Sequence, residues 1–145
     1  MQLTQFTDYS LRALIYVALR QDSCTIKDIT DAYGISNNHM TKIIHNLSKM
    51  GLIKTMRGKS GGILMVAQPK TINLGQLIEQ LEPHFDLVPC FNKTKANCCI
   101  AQACKLKWIL HEARTAFFAV LNQYTLEDVL HSKANLLKLL GLPRA

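Results

Sequence analysis

Acid is scarce in this chain. Asp and Glu number 10 against 17 Lys and Arg, for a formal charge of +7, and no acidic residue occurs between Asp31 and Glu79. An acidic solvating chain is excluded, and a polyanionic partner is favoured. Long apolar runs are also missing. The longest, Ala13 to Leu19, falls far short of the roughly 20 residues a membrane-spanning helix needs. The N-terminus has neither the basic start nor the apolar block of a secretory signal. The expected compartment is therefore cytoplasmic, where thiols stay reduced. With 7 Gly and 4 Pro, collagen-like and linker-dominated chains are excluded. No carboxylate lies near His39 or His45 to orient them, so the chain does not read as an enzyme.

What is present suits one compact domain or two small ones sharing a core, at 145 residues. A chain of this size folds without disulfides. Its 5 cysteines are therefore expected to be metal ligands or redox groups.

Thr7 can cap a first helix whose apolar stripe is Leu11, Leu14, Ile15, Ala18 and Leu19. Thr25 and Asp28 form a capping box for a short second helix. Gly34-Ile35-Ser36 makes a tight turn, and Ser36 caps a third helix that runs through Met50 and is stopped by Gly51. Two short strands, Leu52–Thr55 and Ile63–Val66, flank the basic, glycine-rich tip Arg57-Gly58-Lys59-Ser60-Gly61-Gly62. A fourth helix begins near Asn73 and ends at Pro83. A long helix is expected from about Ala101 to Tyr124, with a heptad seam of Leu106, Leu110, Ala113, Phe117, Val120 and Tyr124. A second stripe, Ile109, Ala116 and Phe118, suggests two buried faces, one of them for a partner copy. Thr125 and Asp128 cap a last helix. The fold class is mainly α: a winged helix-turn-helix with a long dimerisation helix. Residues 1–82 form the DNA-binding domain, 83–104 a cysteine-rich loop, and 105–145 the dimerisation and C-terminal helices.

In that order of elements, the third helix is the recognition helix. Its first turns offer Ser36, Asn37, Asn38, His39 and Lys42 to the major groove, where each base pair is distinguishable. Arg57, Lys59 and Ser60 sit at the wing tip, where basic side chains can enter a minor groove or clamp the backbone. The expected partner is double-stranded operator DNA.

Cys90, Cys98, Cys99 and Cys104 cluster in the spacing C-x7-C-C-x4-C. Structural zinc usually shows paired C-x2–4-C knuckles, and such a pair is absent here. Soft thiolates on one loop suit an iron–sulfur cluster, with Lys93, Lys95, Lys105 and Lys107 offsetting its negative charge. Adjacent side chains diverge, so Cys98 or Cys99 is a ligand, but not both. A fourth ligand remains to be found. Cys24 reads as a small, semi-buried residue. Two other readings stay open: a thiol–disulfide redox sensor using Cys98, Cys99 and Cys104, and a zinc-stabilised DNA-binding module.

Several segments resemble one family. They are Met1 to Leu14, Asn38-His39-Met40-Thr41-Lys42-Ile43, Arg57 to Ile63, Leu81-Glu82-Pro83, and Ala103-Cys104-Lys105-Leu106-Lys107. Together they resemble the iron–sulfur winged-helix repressors, in particular those that sense nitric oxide. The resemblance implies a homodimer with one 4Fe–4S or 2Fe–2S cluster per subunit. It places the ligands at Cys90, Cys98 and Cys104, with Asp8 of the other subunit as the fourth. It also implies a repressor that releases operator DNA when nitric oxide nitrosylates or removes the cluster. Members that regulate cluster assembly carry a histidine ligand three residues after the last cysteine. Here that residue is Lys107, which favours the nitric-oxide sensors. The alternative is a regulator responding to iron, cluster status or oxidative stress.

Overall fold

The computed structural model describes residues 2–20, 22–58, 61–92 and 98–143. Helix α1 spans Gln5–Leu19. Its cap is Thr4, whose hydroxyl accepts the Thr7 amide. Thr7, expected at the cap, lies one turn inside and is fully buried, on the same inward face as Ser10, Leu14 and Val17.

Helix α2 (Ile26–Tyr33) begins with the expected capping box. The Thr25 amide donates to Asp28 Oδ2 at 2.7 Å and the Asp28 amide donates to Thr25 Oγ1 at 3.1 Å. Gly34 adopts the left-handed region at φ 64, a conformation that costs glycine little, and so redirects the chain into α3 (Asn37–Lys49). Met40, Ile43, Ile44 and Leu47 of α3 are buried against α1 and α2.

Strands β1 (Ile53–Met56) and β2 (Gly62–Met65) pair antiparallel, Ile53 opposite Met65. Each is displaced one residue from the expected span. The Leu52 carbonyl, in place of a ladder bond, accepts the Val66 and Ala67 amides at 3.0 and 3.2 Å. Cys24 adds a bridge to β2, exchanging backbone hydrogen bonds with Ile63 at 3.1 and 2.7 Å. The hairpin is thereby fastened to the helices.

Helix α4 (Leu74–Leu81) is capped by Asn73, and α5 covers Lys105–Leu121. The expected start of α5 at Ala101 is corrected: residues 98–103 form turns, with Ala101 and Ala103 amides donating to the Cys98 and Ile100 carbonyls. Cys104 is extended at the helix boundary. Short helices α6 (Leu126–Val129) and α7 (Lys133–Leu139) return the chain to the core. Leu126, Leu137 and Leu142 are buried in the same cluster as Leu14, Ile29, Met40 and Leu47. At roughly 1.5–3 kcal/mol per large apolar side chain, this return ties the C-terminal segment firmly to the helix-turn-helix.

The C-terminal end of α5 is held close to α4. Asn73 Nδ2 donates to the Asn122 carbonyl at 2.8 Å. A Cβ on Gly75 would collide with the Asn122 side chain, so glycine permits this approach. Elsewhere α5 is thinly covered, and none of its residues is buried. No helix among the described residues is long and apolar enough to cross a membrane.

Candidate nucleic-acid interface and cysteine loop

The polar residues of the first turn of α3 are exposed, Ser36 and Asn37 included, and these two also brace the motif. Ser36 accepts the His39 amide. Asn37 Oδ1 accepts a hydrogen bond from Thr30 Oγ1 at 3.0 Å, tying α3 to α2 across the turn. Both side chains therefore hold the motif together; the Ser36 cap is the expected one, whereas the brace from Asn37 to α2 was not announced by the polar character of that position. Asn38, His39 and Lys42 are exposed, as are Thr41, His45 and Lys49 further along the helix. His39 lies beside Tyr9 of α1, ring centroids 6.5 Å apart. The two residues share a cleft of about 380 Å³ with Thr4, Gln5, Phe6, Lys42 and Ile43.

Arg57 is exposed at the end of β1. Gly58 has φ 107, and the Gly61 amide donates back to the Gly58 carbonyl at 2.8 Å. A Cβ on Gly61 would come within 2.8 Å of that carbonyl, so the tip accepts only glycine there. Lys59 and Ser60 lie outside the described residues.

All five cysteines are free thiols. Cys24 is buried, and burial pushes its thiol up to about 11, which makes it a poor ligand and a poor nucleophile. Cys90 sits half-buried in a 3-10 turn, Pro89–Phe91. Phe91 fixes this turn against α5, with the Arg114 guanidinium 5.2 Å from its ring centroid and His111 6.1 Å away. Cys104 is half-buried at the start of α5, and Cys98 and Cys99 are exposed. The donor set suits iron and sulfide in kind: four free thiols at the two ends of one loop. Among the described residues, however, no three His, Cys, Asp or Glu side chains are gathered closely enough to hold a metal. For these thiols to hold one cluster, residues 98–104 and the Cys90 turn would have to converge.

Asp8 projects from the first turn of α1 and is half-exposed. Both its oxygens bond to Arg12, at 2.9 and 3.1 Å.

Comparison with known proteins settles the family. Residues 3–132 match the model of Rrf2, described as an iron-dependent transcriptional regulator. The chain belongs to the Rrf2 family. The HTH-type transcriptional regulator NsrR of Shouchella clausii is 45% identical over 97% of this chain and 95% of its own length. Its namesake in Bacillus subtilis is 42% identical over 98% and 99%. Among solved Rrf2-like folds, B. subtilis CymR, the global cysteine regulator, superposes with a TM-score of 0.68 at 26% identity, over 89% of this chain and 95% of that one. T. potens IscR gives a TM-score of 0.70 at 24% identity, over 91% and 88%. This Rrf2 chain is thus a winged-helix, DNA-binding transcriptional regulator and not an enzyme.

Proposed function

We propose that this regulator is a cytoplasmic homodimer that represses transcription and senses nitric oxide through an iron–sulfur cluster held by its cysteine loop. The observation that carries the reading is the placement of four free thiols between the reading head and α5, in a chain whose relatives at 40–45% identity are called NsrR.

Cys90, Cys104 and one of Cys98 and Cys99 would hold the cluster, with Asp8 of the other subunit as the fourth ligand. When bound, the cluster supplies iron to which nitric oxide can attach. Asp8 suits a labile position: it is a hard carboxylate on a half-exposed helix turn, and its present partner Arg12 is easily exchanged. Asn38, His39 and Lys42 would meet the major groove, Ser36 and Asn37 would shape that turn, and Arg57 with Lys59 and Ser60 would meet the flanking backbone or minor groove. The proposed units remain 1–82, 83–104 and 105–145.

Dimerisation has a specific candidate surface. Leu106, Ile109, Ala113, Ala116 and Val120 follow one another in steps of three and four along α5, and all are exposed. Trp108 beside them is 65% exposed. Such spacing is a heptad seam, and the two alanines permit close approach of a second copy. This row joins Leu106, Ala113 and Val120 of the expected heptad to Ile109 and Ala116 of the second stripe, while Leu110 and Phe117 are half-buried. A two-fold dimer would set recognition helices about 34–36 Å apart, one turn of DNA.

An anaerobic titration with nitric oxide, following visible absorbance and operator binding together, tests the reading. Parallel loss of both is expected. Equal operator affinity of cluster-loaded and cluster-free protein overturns it.

A further inference from the structure

Glu82 ends α4 and immediately precedes Pro83, where the cysteine loop begins. Its carboxylate reaches across the molecule to the start of α1. Thr4 donates its amide to Oε2 at 3.2 Å and its hydroxyl to Oε2 at 3.2 Å, and Thr7 donates its hydroxyl to Oε2 at 2.6 Å. Thr7 is fully buried, and its hydroxyl has its shortest contact with this carboxylate, the Thr4 hydroxyl lying 3.1 Å away. Carboxylate acceptors make strong hydrogen bonds, and negative charge is favoured at a helix N-terminus.

Both ends of this connection lead to functional candidates. On α1, Thr7 is followed by Asp8 and by Tyr9, which lies against His39 of the recognition helix. On the other side, the chain from Glu82 reaches Phe85 within three residues. Phe85 packs edge-on against Phe118 of α5 with centroids 4.6 Å apart, and lies 6.4 Å from Phe117. The segment 82–85 is thus a strap with α1 bonded at one end and α5 packed at the other.

We propose that Glu82 is a positioning residue that couples the cysteine loop and α5 to the recognition helix within one subunit, by holding the N-terminus of α1. The inference rests on reading the loop as the sensor. It adds to that reading a route that does not cross the dimer interface. A shift of the loop or of α5 pulls the strap, moves the first turn of α1, and tilts Tyr9 against His39.

The test uses the full-length dimer, prepared with and without its cluster. Operator affinity is measured in both forms for wild type, Glu82→Gln, Thr7→Val and Thr7→Ser, alongside amide hydrogen exchange over residues 4–9 and thermal midpoints. Coupled sites typically differ 5- to 150-fold in affinity between forms. In Glu82→Gln and Thr7→Val that ratio is expected to collapse toward one, chiefly through weaker binding by the loaded form. Exchange in the first turn of α1 should also become faster in cluster-free protein. Thr7→Ser, which keeps the hydroxyl, should preserve the ratio. Variants that melt earlier yet keep the wild-type ratio overturn the coupling role and leave Glu82 a helix cap. A wild-type ratio of one overturns the sensor reading itself, and the coupling with it.

Discussion

Asp8 and Arg12 meet through two bonds, Oδ2 to Nη2 at 2.9 Å and Oδ1 to Nε at 3.1 Å. The guanidinium also lies 5.8 Å from the Tyr9 ring centroid and 5.9 Å from that of Tyr33. The hydrogen bond with Asp8 is the main reason the Arg12 pKa is raised above its ordinary value. Both side chains are more than 40% exposed, and such pairs are worth only about 0–1 kcal/mol. Asp8 can therefore exchange this partner for another at small cost.

If Asp8 serves the other subunit, mixed dimers reveal it. A dimer joining a Cys104→Ala chain to an Asp8→Ala chain retains one complete ligand set only when Asp8 acts across the interface. Such a dimer is expected to lose half its visible absorption while the remaining cluster resists chelators as in wild type. A remaining cluster as labile as that of the Asp8→Ala homodimer would assign Asp8 to its own subunit or to no ligand role.

His39 and Arg57 should fail differently. His39→Ala is expected to weaken operator binding selectively. Arg57→Ala should weaken binding to all DNA and lower the salt slope by about one. Binding isotherms on operator and unrelated duplexes across a salt series check both, and an unchanged slope in Arg57→Ala removes the wing from the interface.

Ile109→Asp places a charge in the middle of the exposed α5 seam, at a side chain that is 51% exposed. Sedimentation equilibrium should show monomers with unchanged helical circular dichroism. A variant that stays dimeric places the interface elsewhere.

Cys24 offers a pH prediction. Burial raises its thiol to about 11 from an ordinary value of 9.0, so the folded chain holds this proton more tightly than the unfolded one. The resulting stability is complete below pH 9 and declines as pH rises toward 11. Cys24→Ala should flatten that decline in urea midpoints, and alkylation at pH 8 should spare Cys24 until the chain unfolds.

Local signals in the sequence determined much of this protein. The Thr25 and Asp28 capping box, the turn at Gly34, the cap at Ser36 and the glycine tip of the wing each depend on residues a few positions apart, and so could be read directly. The acid-free span and the grouped cysteines are likewise properties of the chain. Tertiary structure decided what depends on distant segments meeting. It buried Thr7 and gave the cap to Thr4, because a carboxylate 75 residues further along the chain lies under that turn. It also half-buried Leu110 and Phe117 and left Ile109 and Ala116 open. The heptad pattern alone fits either register, and the packing of Phe85 against α5 selects one of them.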